Sequence, residues 1–206
     1  MIKLIKIKPK KIIIYCIPKE LEIFNNYKDT LSITFDIKIE IYANAIGHHI
    51  PVNMKVSIDG GETLLPRREP IADSLGIWHE YLFSPGMLDE GKHILTVLVA
   101  GADGSEYEQA YEIEITRGDR NPVIISDECK TKEIAEVGDT VESLHSGEYE
   151  IIKIYSTPKV VAVKDEHSMI TYIPYDNEYA DPSPFRISSV NGNTITISHE
   201  DVFCNL

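Results

Sequence analysis

Apolar and polar residues alternate along much of this chain with a period of two, the spacing of a half-buried β-strand. Leu31, Ile33, Phe35, Ile37, Ile39 and Ile41 carry the clearest run, with Ser32, Thr34, Asp36, Lys38 and Glu40 between them. That run predicts one long strand. Residues 52–58, 78–83, 92–100 and 107–115 predict four more, punctuated by Asp59-Gly60-Gly61, Ser84-Pro85-Gly86, Asp89-Glu90-Gly91 and Gly101-Ala102-Asp103-Gly104. Residues 62–76, with Pro66, Pro70 and Gly76, read as a long loop. Short strands at intervals of about 8–12 residues, with turn chemistry between them, predict a β-sandwich.

Both ends of the chain add strands. Residues 2–8 and 11–15 interleave isoleucine with lysine around Pro9 and predict an N-terminal β arm. Residues 116–122 are polar and turn-forming and make the best linker. Beyond it, 130–136 reads as one short helical stretch, and 147–155, 159–165 and 169–175 read as strands. Residues 187–190 and 194–197 predict a hairpin across Asn191-Gly192-Asn193, a strong turn signal. The expectation is an all-β protein in three parts: a basic arm over 1–29, a sandwich over 30–117, and a small barrel over 118–206, closed because closure removes open edges.

The segments Val56-Ser57-Ile58-Asp59-Gly60-Gly61-Glu62, Trp78 before its strand, and the run from Gly91 to Gly104 resemble bacterial and phage immunoglobulin-like, fibronectin-III-like modules. The resemblance covers about 40% of the chain and implies a fold, not a ligand, because such modules serve many functions. Val137-Gly138-Asp139, Gly147-Glu148-Tyr149-Glu150-Ile151 and Val160-Val161-Ala162-Val163 resemble the SH3-like small β-barrels of phage proteins. An immunoglobulin-like module followed by such a barrel looks like a phage virion component.

Charge narrows the partners. The net charge is −13, yet residues 1–20 hold six lysines against Glu20, a local +5 that leaves −18 on the remainder. An acidic body repels phosphate backbones, so nucleic acid is not an expected partner. Lys3, Lys6, Lys8, Lys10 and Lys11 are the expected basic partner-binding residues, by strand addition or as a positive patch; lysines on an edge strand also discourage aggregation. No run approaches the ~20 apolar residues of a membrane span, and no secretory-type apolar core follows the first lysines. Cys16, Cys129 and Cys204 are odd in number and far apart, which suits a reducing compartment and no disulfide framework. The expected location is a virion assembled in the host cytoplasm, or the cytoplasm itself.

Candidate chemistry is thin. His48 and His49 are adjacent, so on a strand they face opposite sides. His79-Glu80 lacks the second histidine of a zinc-protease helix. Asp59-Gly60-Gly61-Glu62 and Asp103-Gly104 lack calcium-loop spacing, and Asp165, Glu166, Asp176, Glu178 and Asp181 supply oxygen ligands without it. No nucleophile elbow, phosphate loop or dinucleotide fingerprint occurs. No catalytic residue, metal or cofactor is expected. Tyr172, Tyr175 and Tyr179 beside the acidic loop are expected to form a protein interface or to stack on a surface glycan. Trp78 is a further stacking candidate, but as the lone tryptophan of a sandwich it is expected in the core. The function expected is therefore non-enzymatic: a virion accessory, decoration or adaptor protein binding other assembly proteins or its own copies. The alternative is a carbohydrate-binding module.

Overall fold

The structure is a computed structural model that describes residues 10–16, 31–33, 37–44, 50–73, 76–83, 87–115, 130–143, 147–175 and 185–200. Its regular elements are strands throughout. β1 (Lys10–Cys16), β3 (Ile37–Asn44), β6 (Gly76–Phe83) and β5 (Ile71–Asp73) form one sheet, in the order β1-β3-β6-β5. β2 (Leu31–Ile33), β8 (Glu106–Ile115), β7 (Gly91–Gly101) and β4 (Pro51–Ile58) form a second, in the order β2-β8-β7-β4. Pairing is antiparallel except for β1 with β3 and β2 with β8. The two sheets share one core: Ile41, Ala43, Ile77 and Tyr81 come from the first, and Met54, Val56, Leu95, Val97 and Ile113 from the second.

The C-terminal residues build two further sheets. β10 (Thr140–Ser143), β11 (Gly147–Tyr155), β12 (Val160–Asp165) and β13 (Ile170–Pro174) run as an antiparallel meander. β14 (Arg186–Asn191), β15 (Thr194–Glu200) and β9 (Lys130–Glu136) pair in the order β14-β15-β9. The central element is β12, whose Val160, Val161, Ala162 and Val163 are all fully buried. Val160 and Ala162 join the sandwich core with Tyr155 and Tyr172. Val161 and Val163 point the other way, into a second core with Ile187, Ile195 and Ile197. A strand covered on both faces loses its polar alternation, which is why Val-Val-Ala-Val is unbroken.

The loop after β4 ties these sheets together. Asp59 and Gly60 take positive φ (51° and 68°), turning the chain sharply, and the Gly61 amide donates to the Ile58 carbonyl at 2.8 Å. The chain then runs back along β4, where the Leu64 amide donates to the Val56 carbonyl (2.7 Å). At Arg67 it bridges two sheets: its amide donates to the Glu80 carbonyl (2.6 Å) and its carbonyl accepts from the Ile170 amide (2.7 Å). Two tyrosines grip the same segment from the C-terminal side. The Tyr155 hydroxyl donates to the Thr63 carbonyl at 3.2 Å, and the Tyr172 hydroxyl donates to the Leu65 carbonyl.

Several expectations need correction. Among the described residues no closed barrel forms over 118–206: its two sheets pack on a shared core and are bridged in parallel by Tyr175 with Ile187, and neither closes on itself. The long strand over 31–41 is two strands in different sheets, β2 on β8 and β3 on β6, because period two says nothing about which sheet a residue joins. The short helix over 130–136 is the strand β9, held in register with β15 over its whole length. The long loop over 62–76 contains β5. The boundary between 117 and 118 lies outside the described residues, but the sandwich core takes side chains from both sides of it.

Gly61 tests the joint. A Cβ there would lie 2.1 Å from the Thr157 carbonyl oxygen, which is backbone and cannot swing aside. Gly61→Ala is expected to destabilise the protein by about 1–3 kcal/mol through overpacking, measured by urea unfolding. An unchanged midpoint would mean that the loop does not press on the turn between β11 and β12.

Candidate functional site

The outer face of β3 and β6 holds an unusual charge arrangement. Glu40 and Glu80 are directly opposed across the two strands, and both are buried. Opposed like charges repel at the short distance of a cross-strand pair, so the site needs cations. Arg68 supplies one, its Nη2 2.9 Å from Glu80 Oε2; Arg67 supplies another, its Nη1 3.6 Å from Glu80 Oε1. The Arg68 guanidinium also lies over the Trp78 ring, 4.6 Å from its centroid. Trp78 is therefore half-buried outside the core and roofed by a cation. That corrects its expected core position and leaves the covered ring face closed to a sugar. This cluster fastens the joint rather than offering a free surface.

On the inner face of β6, Ile77, His79 and Tyr81 point to the core. His79 is 5% exposed, and its Nδ1 lies 3.0 Å from the Tyr81 hydroxyl. Burial lowers its pKa from 6.5 to about 4. Tyr155 and Tyr172 meet edge to face, with centroids 6.0 Å apart. Burial raises the Tyr81, Tyr155 and Tyr172 phenols, Tyr155 to about 12. They act as neutral donors at ordinary pH.

A cleft of about 420 Å³ opens beside the joint, within the size range of small-ligand sites. Its floor is the outward part of β11, where a β-bulge between Ile151 and Lys153 inserts Ile152 as an extra residue. Val137 and Val190 add apolar walls, and Ser156, Tyr175, Gly192 and Asn193 add polar ones. Glu62 and Lys153 close one side as an ion pair at 2.5 Å, and the Lys153 ammonium sits 4.6 Å from the Tyr155 ring centroid. The Tyr175 hydroxyl donates to the Tyr155 carbonyl at 2.8 Å, which fixes the ring against the wall.

The expected site residues do not converge. Lys3, Lys6, Lys8 and Tyr179 lie outside the described residues, as do His48, His49, Asp176, Glu178 and Asp181. Lys10 and Lys11 lie in β1, in register with Ile37 and Lys38 of the chain's own β3. Tyr172 is a core residue rather than an exposed platform, whereas Tyr175 does line the cleft. Asp165 accepts from the His167 and Met169 amides and Asp103 from the Ser105 amide, so each shapes its own turn. Asp59 accepts from the Ile94 amide and meets His93 Nδ1 at 2.6 Å. The strands Trp78-His79-Glu80-Tyr81 and Glu148–Tyr155 alternate, but alternation alone did not reveal the Arg67–Arg68–Glu80 cluster or the bulge at Ile152, which depend on long-range contacts. No protein-family model matches the chain, and no curated protein is significantly similar to it.

His79 gives a pH signature. The unfolded imidazole takes up a proton near 6.5 and the folded one only near 4. Its stabilising contribution is thus present above pH 6.5 and is lost as pH falls toward 4, by about 3 kcal/mol in all. His79→Gln is expected to flatten that part of the stability–pH curve, read by urea unfolding at a series of pH values. An identical slope in the two proteins would place the proton uptake elsewhere.

Proposed function

We propose that this chain is a non-enzymatic assembly protein, a decoration, accessory or adaptor component of a phage virion, that binds protein partners across its sheet edges. The observation that carries this reading is where its large apolar side chains are exposed. Of the six such residues among those described, Val52 and Ile50 lie on or just before β4, Ile71 on β5, and Ile134 and Val137 on or just after β9. Each of those strands is the edge of its sheet, and only Ile94 lies on an inner strand. Edge strands offer unpaired backbone groups and are commonly blunted with charge; apolar side chains there suit strand addition by a partner.

The strand order supports the immunoglobulin-like reading of the sandwich. β1, β3, β6 and β5 lie as strands A, B, E and D, and β8, β7 and β4 as G, F and C, with β2 as an added edge. The parallel pairing of β1 with β3 departs from an antiparallel sheet. For the C-terminal half the SH3-like reading keeps only short strands in two small sheets, bridged by Tyr175, just after β13, and Ile187 of β14. The lysines of the N-terminal arm give the acidic chain a positive element for an acidic partner on the particle, with assembly in the host cytoplasm.

A second reading, a carbohydrate-binding module, is favoured by the cleft, where Tyr175, Ser156 and Asn193 line one mixed polar and apolar surface. A glycan array with no signal, or a sugar response unchanged by Tyr175→Ala, would remove it.

Mass spectrometry of purified particles is expected to find the chain at fixed stoichiometry. Lys3→Glu, Lys6→Glu and Lys8→Glu together are expected to weaken particle binding roughly tenfold, more strongly at low salt. A chain found only in soluble lysate, with binding indifferent to these changes, would contradict the assembly reading.

A further inference from the structure

β9 pairs with β15 on one side, and among the described residues no strand pairs on its other side. Seven consecutive residues keep register with β15 without a bulge, so this outer edge, unpaired among the described residues, is straight. Its backbone polarity can be assigned. The Val137 amide donates to the Asn193 carbonyl (3.2 Å), so odd-numbered residues here turn their amides toward β15. Glu136 turns away, its amide donating to Asp139 Oδ2 (2.8 Å) and its carbonyl accepting from the Asp139 amide (3.0 Å). By the alternation of an antiparallel ladder, the amides and carbonyls of Lys132 and Ile134 face the open edge.

The side chains follow the same alternation. Ala135 enters the second core, and Ile134 stands on the opposite face, 73% exposed, flanked by exposed Lys132 and Glu136. We infer that this edge pairs with a second copy of itself, antiparallel, about a dyad through Ile134. That register sets Ile134 against Ile134 and places Lys132 opposite Glu136 of the second copy, twice over. On the inner face it sets Glu133 against alanine. Shifting the dyad to Glu133 opposes two carboxylates, and shifting it to Lys132 opposes two ammonium groups, each a destabilising cross-strand pair. Shifting it to Ala135 seats Ile134 on the Glu136 backbone, which Asp139 already closes, so charge and backbone together select the Ile134 register, which is isologous and self-limiting at two copies. The ladder is short, because Asp139 already closes the Glu136 backbone, so the dimer is concentration-dependent. The product is a six-stranded sheet across the dyad, in the order β14-β15-β9-β9-β15-β14.

The inference rests on the assembly reading in taking a protein edge as the contact surface, and it names the partner at that edge. Sedimentation equilibrium or light scattering on the full chain over a concentration series is expected to approach twice the 23.2 kDa chain mass. Ile134→Arg, on an exposed side chain, is expected to abolish the dimer while leaving thermal unfolding of the monomer unchanged. Lys132→Glu is expected to abolish it as well, and Lys132→Glu combined with Glu136→Lys to restore it. A monomer at every concentration would overturn the inference, as would a dimer indifferent to Ile134→Arg, a double variant that fails to restore, or pairing at β9 with a different protein only. A strictly monomeric chain that still binds particles would remove the dimer and leave the assembly reading standing.

Discussion

The path of the loop from Asp59 to Arg68 is the constraint on which the rest of the structure depends. It hydrogen-bonds to β4 through Leu64, to β6 through the Arg67 amide and to β13 through the Arg67 carbonyl. Three sheets therefore share one short segment. Its carbonyls at Thr63 and Leu65 receive the Tyr155 and Tyr172 hydroxyls from the C-terminal side. A carbonyl left unpaired when it is shielded from water costs on the order of 1–3 kcal/mol, so those phenols help hold the loop against the C-terminal sheet where Leu64 is buried. Gly61 is the matching steric condition, since only a residue without a Cβ lets the loop approach the Thr157 carbonyl.

The same joint organises charge and burial. Glu80 lies one residue from the buried Tyr81 and faces the other side of β6, where Arg67 and Arg68 neutralise it. Removing one partner of a buried ion pair is far more costly than the pair itself is stabilising. On the C-terminal side, β12 is the wall between the two cores, each of its four apolar residues assigned alternately to one or the other. Sandwich, loop and meander are thus consecutive layers of one packed object. Three of the sheet edges, β4, β5 and β9, carry the exposed apolar residues that direct the functional reading.

Strand positions were largely legible from alternation. β4, β7, β8, β11 and the β14–β15 hairpin lie where period two and the Asp-Gly-Gly and Asn-Gly turns put them. What period two could not supply was partnership. Leu31 to Ile41 keeps its rhythm while splitting between two sheets, and the alternation of Ile77 to Tyr81 does not say which face is the core, so neither the outward place of Trp78 nor the burial of His79 is legible in it. Lys130 to Glu136 has helix-forming composition, and its conversion to a strand follows from pairing with β15, a tertiary contact that outweighs local preference. The site residues were less legible still. Tyr175 stands out in the sequence as an aromatic beside the acidic loop, but the cleft it lines also needs Glu62, Val137 and Asn193 from distant parts of the chain.

If the loop and the β12 wall together join the four sheets into one packed object, the protein unfolds as one cooperative unit. Differential scanning calorimetry of the dilute chain tests this most directly. The structure predicts a single transition whose calorimetric and van't Hoff enthalpies agree, shifted as a whole to lower temperature by Gly61→Ala. Two separable transitions, with only one of them moved by that substitution, would contradict it.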